Sequence, residues 1–119
     1  MQFSSLVSIR ILKGMDTCFE QGICELLKSI KRTGSVKATA TEMKISNARV
    51  LKRIKNSELI LGYPLLIRQI GGAGGGYSHL TERACRLIDQ YMKLESETNS
   101  FVESYLNEHF AEFLDEKDY

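Results

Sequence analysis

At 119 residues the chain is sized for one domain, and its balance of 43% apolar and 26% charged residues is that of an ordinary globular protein rather than a fibrous or disordered one. No apolar run is long enough to span a bilayer, and the start of the chain carries no basic stretch followed by an apolar core, so no membrane partner is expected and the cytoplasm is the expected compartment. The net charge of +1 hides a segregation: residues 28–55 hold nine basic side chains against Glu42 alone, and residues 95–119 hold eight acids against Lys117 alone.

In chain order, Val7, Ile9 and Ile11 alternate with Ser8 and Arg10, the period of a strand. Turn residues around Gly14 then predict a short return strand over Thr17, Cys18 and Phe19. Ile23, Leu26, Leu27 and Ile30 are spaced as one face of a helix, which should end near Thr33 and Gly34. Ser35 is an N-cap for a second helix with Val36, Ala40 and Met43 on one stripe. Ser46 caps a third, on which Val50, Leu51, Ile54 and Leu61 share the inner face and Arg49, Lys52, Arg53 and Asn56 the outer. Two short helices separated by about three residues, the second cationic outside, form a helix-turn-helix pattern.

Gly62-Tyr63-Pro64 closes that helix, since proline cannot continue it. Residues 65–70 read as a strand, the glycine run Gly71-Gly72-Ala73-Gly74-Gly75-Gly76 as a loop, and residues 77–80 as a returning strand, together a wing-like hairpin. Thr81 caps a last helix in which Ala84, Leu87, Tyr91, Leu94, Thr98, Phe101 and Tyr105 follow a 3, 4 spacing before drifting to Leu106, Phe110 and Phe113. The poor helix formers of residues 96–100 are expected to bend or break it. No linker divides the chain, so residues 1–80 read as the winged part and 81–119 as a C-terminal helix of the same domain. The fold class is mainly α with small β-hairpins.

The run from Gly34 through Ile45 and Ser46, with Ile54 and then Leu61-Gly62-Tyr63-Pro64-Leu65, resembles the helix-turn-helix of LysR-type regulators. The glycine stretch leading into Tyr77-Ser78-His79-Leu80-Thr81 is similar to the wing of the molybdate-responsive (ModE) regulators, and the resemblance runs from about Val7 to Leu94. It implies a winged helix-turn-helix, a homodimer and an inverted-repeat site on double-stranded DNA. Three departures stand out. Lys44 occupies the turn where the family often has glycine, which is expected to loosen the turn. Ser57 stands where an apolar residue is usual. The sequence also stops short of the family's molybdate-binding domains, so the reading is of a DNA-binding half, and no effector carries over.

On this reading Arg49 and Arg53 have the reach for bidentate contacts to guanine, and Asn47 either pairs with adenine or caps its helix. Lys52 and Lys55 are better placed as phosphate contacts, which give affinity without sequence information, and Ser35, Lys37 and Ser46 are also expected among the DNA-binding residues. Gly74 and Gly75 at the wing tip let the backbone approach DNA closely, and Arg68 and His79 flank the wing, His79 fitting a plain hairpin position equally well. Leu87, Tyr91, Leu94, Phe101, Tyr105 and Phe110 are the expected dimer contacts. No nucleophile motif, metal-ligand spacing or phosphate-loop lysine is present, so neither an enzyme nor a cofactor is expected. Cys18, Cys24 and Cys85 form no CxxC pair and read as small core residues. The rival reading is a winged module that docks a separate sensor or transcription component, and a separate effector protein is a further candidate partner.

Overall fold

The computed structural model describes residues 3–69 and 77–114. Along the chain run β1 (Ile11–Lys13), β2 (Asp16–Phe19), α1 (Gln21–Thr33), α2 (Val36–Met43), α3 (Asn47–Leu61), β3 (Leu66–Gln69), β4 (Tyr77–Leu80), α4 (Glu82–His109) and α5 (Ala111–Leu114). The strands form two separate antiparallel hairpins, β1 with β2 and β3 with β4. In the second, Leu66 lies opposite Leu80 and Gln69 opposite Tyr77. The glycine run and Ile70 lie outside the described residues, so the expected tip contacts Gly74 and Gly75 do as well.

The helices start and stop where local chemistry directs. Gly34 and Gly62 adopt the left-handed conformation just past α1 and α3. Ser35, Ser46 and Thr81 accept backbone N–H groups at the starts of α2, α3 and α4. Glu20 caps α1 with both carboxylate oxygens, accepting from Gly22 and Ile23. The core gathers around α1: Leu26, Leu27 and Ile30 are fully buried against Phe19, Val50, Ile54, Leu65 and Ala84. A second layer is polar, with Ser29 bonded to Thr39 at 2.9 Å and to Glu42, which pairs with Arg32. The Arg32 hydrogen bond, helped by Ser29, holds the Glu42 carboxyl below its usual range.

Four expectations are corrected. Of the alternating segment 7–11 only Ile11 enters a strand. Residues 3–10 instead form an arm laid antiparallel along α4: Phe3 meets Asn107, Ser5 meets Asn99 and the Ile9 carbonyl accepts from the Tyr91 hydroxyl at 2.6 Å. The outermost of these contacts are 16 helical residues, about 24 Å, apart, so the arm is close to fully extended. Its period of two is therefore one-sided burial on a helix rather than on a sheet. That contact also explains why α4 does not break at residues 96–100, since Asn99 is engaged by Ser5 from the arm.

Tyr91 is the third correction. It is 1% exposed and packs edge-on against Phe19, with ring centroids 5.1 Å apart, so it belongs to its own domain's core and not to a dimer seam. Burial pushes its hydroxyl up to about 12 and the Cys24 thiol up to about 11, leaving both neutral. Fourth, Lys44 does not loosen the turn. It takes the left-handed conformation itself, φ 60°, and its N–H bonds back to Ala40 and Thr41. Ser57 is buried, and its hydroxyl donates to the Cys18 carbonyl, tying α3 to β2 in place of an apolar contact.

Two consequences are measurable. Lys44→Gly relieves a left-handed lysine at the cost of a more flexible unfolded chain, so a net stabilisation of about 0.5–1 kcal/mol is expected in urea unfolding. Tyr91→Phe keeps the ring and removes one hydrogen bond, with an expected cost of about 1 kcal/mol and no change in oligomeric state by sedimentation. A change of oligomer would return Tyr91 to an interface.

Candidate nucleic-acid interface

α3 buries one face against the core and turns the other to solvent. Val50, Ile54 and Ser57 are buried, whereas Asn47, Ala48, Arg49, Lys52, Lys55 and Asn56 are exposed. Ser46 supplies the cap, so Asn47 is left as an outward side chain and its alternative role as the cap is not the one adopted. Among the described residues no acid lies within ion-pair distance of Lys37, Arg49, Lys52, Lys55 or Arg68. Each cap hydroxyl, on Ser35 and Ser46, accepts one N–H and keeps its own hydrogen for donation outward.

Arg53 is placed differently from its neighbours. Its guanidinium donates to Glu20 Oε1 at 3.1 Å, and its side chain is only 38% exposed. The pair lines a shallow hollow with Thr17, Cys18, Ile23, Asn56 and Ser57. In this arrangement Arg53 is tethered, whereas Arg49 is exposed and has no acid within ion-pair distance among the described residues.

The wing is attached to the helix-turn-helix at defined points. The Ser78 N–H donates to the Gly34 carbonyl at 2.9 Å, joining β4 to the junction of α1 and α2. Glu58 Oε2 accepts from the N–H groups of Leu65 and Leu66 at 2.7 and 3.1 Å, holding the start of β3 on α3. Thr81 closes the base, its N–H on the Leu65 carbonyl and its hydroxyl on that of Pro64. Because residues opposite and two apart share a face, Arg68 and His79 project from opposite sides of the hairpin. Arg68 shares a hollow with Leu51, Lys55 and Glu58 of α3, whereas His79 stacks beside Tyr77 at 6.0 Å on the outer face. Lys55 and Arg68 thus converge, and His79 stands apart from them.

The sequence reading passed over Glu20, Glu58 and the Gly34–Ser78 bond. Glu58 carried a signal, as the only acid in a cationic helix. The other two join residues 33 and 44 positions apart and have no local signature.

α4 presents the remaining expected contacts. Leu87 is half-buried against the core, Leu94, Phe101 and Tyr105 are 42%, 70% and 49% exposed, and Phe110 caps the helix end. The arm covers an adjoining stripe that includes Asn99 and leaves these three outward. Among the described residues no helix is long and apolar enough to cross a membrane.

The family model of bacterial regulatory helix-turn-helix proteins of the lysR family matches residues 24–84, from within α1 to the start of α4. The Transcriptional regulator ModE of Haemophilus influenzae is 37% identical over 70 residues, 59% of this chain and 28% of that protein. The Molybdenum transport protein ModE of Azotobacter vinelandii is 31% identical over 78 residues, 66% of this chain and 29% of that protein. The chain therefore spans under a third of the length of these curated relatives. Among solved structures, ArgP from Mycobacterium tuberculosis superposes with a TM-score of 0.50 at 25% identity, covering 69% of this chain and 30% of that one. With its two helices, wing hairpin and capped turns matched over half of its length, the chain belongs to the LysR family of bacterial regulatory helix-turn-helix proteins.

Proposed function

We propose that this chain is a sequence-specific DNA-binding transcriptional regulator, not an enzyme, that acts as a homodimer on an inverted repeat. The observation that carries the reading is the outer face of α3, where Asn47, Arg49 and Lys52 stand exposed and Arg49 and Lys52 have no acid partner among the described residues. A helix fits the major groove with its N-terminal side chains at base edges, which assigns Asn47 and Arg49 to bases and Lys52 to phosphate. Lys37, Lys55 and the hydroxyls of Ser35 and Ser46 add backbone contacts, joined by Arg68 from the inner side of the wing. The wing tip, Gly74 and Gly75, approaches the sugar-phosphate backbone in this proposal. The dimer forms through Leu94, Phe101 and Tyr105, with Leu87 and Phe110 at its margins, and sets the two recognition helices about 34 Å apart.

The exposed aromatic stripe of α4 also favours a second reading, in which the chain docks a separate sensor or transcription component. Fluorescence anisotropy on random duplex separates the two: a DNA binder shows affinity that falls steeply with salt, and a docking module shows none.

On a site selected from a random library, Arg49→Ala is expected to cost about 1–3 kcal/mol and to relax specificity at one position. Lys52→Ala should weaken all sequences alike and lower the salt slope by about one. Phe101→Glu should give a monomer by sedimentation equilibrium. A dimer that survives the substitution removes the outer half of α4 from the interface.

A further inference from the structure

Among the described residues, Arg53 is the one cation of α3 held by an acid, and the way it is held makes release easy. Glu20 Oε2 accepts from Gly22 N–H at 2.9 Å and Oε1 from Ile23 N–H at 3.0 Å. If the guanidinium leaves, the carboxylate keeps both backbone partners at the start of α1. Arg53 in turn uses one of its five N–H donors on Glu20, at 3.1 Å. The side chains are 38% and 27% exposed, and an ion pair this open contributes little to folding. The guanidinium also lies at the positive end of the α1 dipole, which favours the acid and opposes the cation.

Gly22 makes the seat. A Cβ at that position would collide with the Arg53 guanidinium and crowd the Glu20 carboxylate, so Arg53 crosses the first turn of α1 only because residue 22 has no side chain. On α3, Arg53 lies one turn beyond Arg49 and adjacent to Lys52, beside the unpaired cationic face.

We infer that Glu20 is an internal competitor for Arg53: the guanidinium rests on Glu20 in the free protein and transfers to a DNA phosphate in the complex. A phosphate offers the same anionic, bidentate geometry as a carboxylate, and it lies away from the dipole. Arg53 then supplies backbone affinity rather than base reading, and Glu20 is a positioning residue that lowers affinity for all sequences by holding it back. This inference rests on the DNA-binding reading given above.

The test is anisotropy on a random-sequence duplex over a range of salt, with the full chain. Glu20→Gln retains an oxygen for the α1 cap and is expected to bind about two- to fivefold more tightly than wild type, the amount an exposed ion pair withholds. Gly22→Ala, which leaves net charge unchanged, should reproduce the gain by displacing the guanidinium. Asp16→Asn, at an exposed acid four residues before Glu20 and without an ion pair among the described residues, controls for charge alone and should gain less. Arg53→Gln should lower the salt slope by about one and abolish the gain from Glu20→Gln. If Glu20→Gln gains no more than Asp16→Asn, or keeps its gain without Arg53, the competition is overturned while DNA binding stands. If wild type itself shows no salt-sensitive affinity, the functional reading falls first and this inference falls with it.

Discussion

The mutual placement of α1, α2 and the wing depends on the conformation of Gly34. Its left-handed backbone ends α1, φ 70°, and turns the chain directly into the Ser35 cap of α2, while its carbonyl accepts the Ser78 N–H of the wing. One residue therefore sets the angle between α1 and α2 and the distance from that corner to β4. A side chain there would be strained by its φ alone, even though the nearest atom to a Cβ, the Ser78 carbonyl oxygen, is 3.9 Å away. Everything that faces outward inherits this placement. α3 is fixed against α1 through Val50 and Ile54, and the wing is fixed against α3 through Glu58, so the cationic face and the hairpin behave as parts of one rigid frame. For the proposed DNA contacts such rigidity matters, because side chains that meet bases must arrive within a few tenths of an ångström without reorganisation.

The electrostatics follow from where that frame lets acids sit. Among the described residues three acids pair with cations of the basic segment: Glu25 with Lys28, Glu42 with Arg32 and Glu20 with Arg53. Two of these lie on or between α1 and α2, behind the outer face of α3. Of the other acids among the described residues, Asp16 lies in β2 and Glu58 at the far end of α3, and most of the rest belong to α4, whose outer half projects away in a molecule 68 Å long and 30 Å across. Segregation of this kind leaves a net charge near zero but a strong local field. In the proposed encounter with DNA, such a field would orient the molecule with its basic segment toward the polyanion and the acidic helix directed away.

What was legible in the sequence was whatever local chemistry decides. Ser35, Ser46 and Thr81 could be named as caps, and Gly34 and Gly62 as helix ends, because those choices are made within four residues. The strands of the wing were legible because Pro64 and the glycine run bracket the first, and the glycine run and the Thr81 cap bracket the second. What was hidden depends on partners distant in the chain. Arg53 looks like Arg49 in a helical projection, and only the arrival of Glu20 from 33 positions away separates their roles. The arm shows the same limit from the other side: alternation at Val7 and Ile9 correctly reported one buried face, but periodicity does not say whether a helix or a sheet does the burying. Tyr91 fitted the heptad as well as Leu94 did, yet the spacing does not mark where the domain's own core ends and the free helix begins.

That boundary explains how a 28-residue helix persists beyond the body it starts from. Ala84, Ile88 and Tyr91 anchor its first turns in the core, and among the described residues of α4 none beyond Tyr91 is buried. Helices of this composition draw most of their stability from packing an apolar face, not from intrinsic propensity, and residues 96–100 are poor in propensity. The arm supplies packing along one stripe, with side chains of Ser5 and the backbone of Phe3 engaging Asn99 and Asn107, polar residues that would otherwise favour leaving the helix. Leu94, Phe101 and Tyr105 line the next stripe and stay uncovered. A helix held straight on one side and apolar on the other presents a surface with its conformational cost already met, which is the condition under which a modest apolar stripe suffices for association.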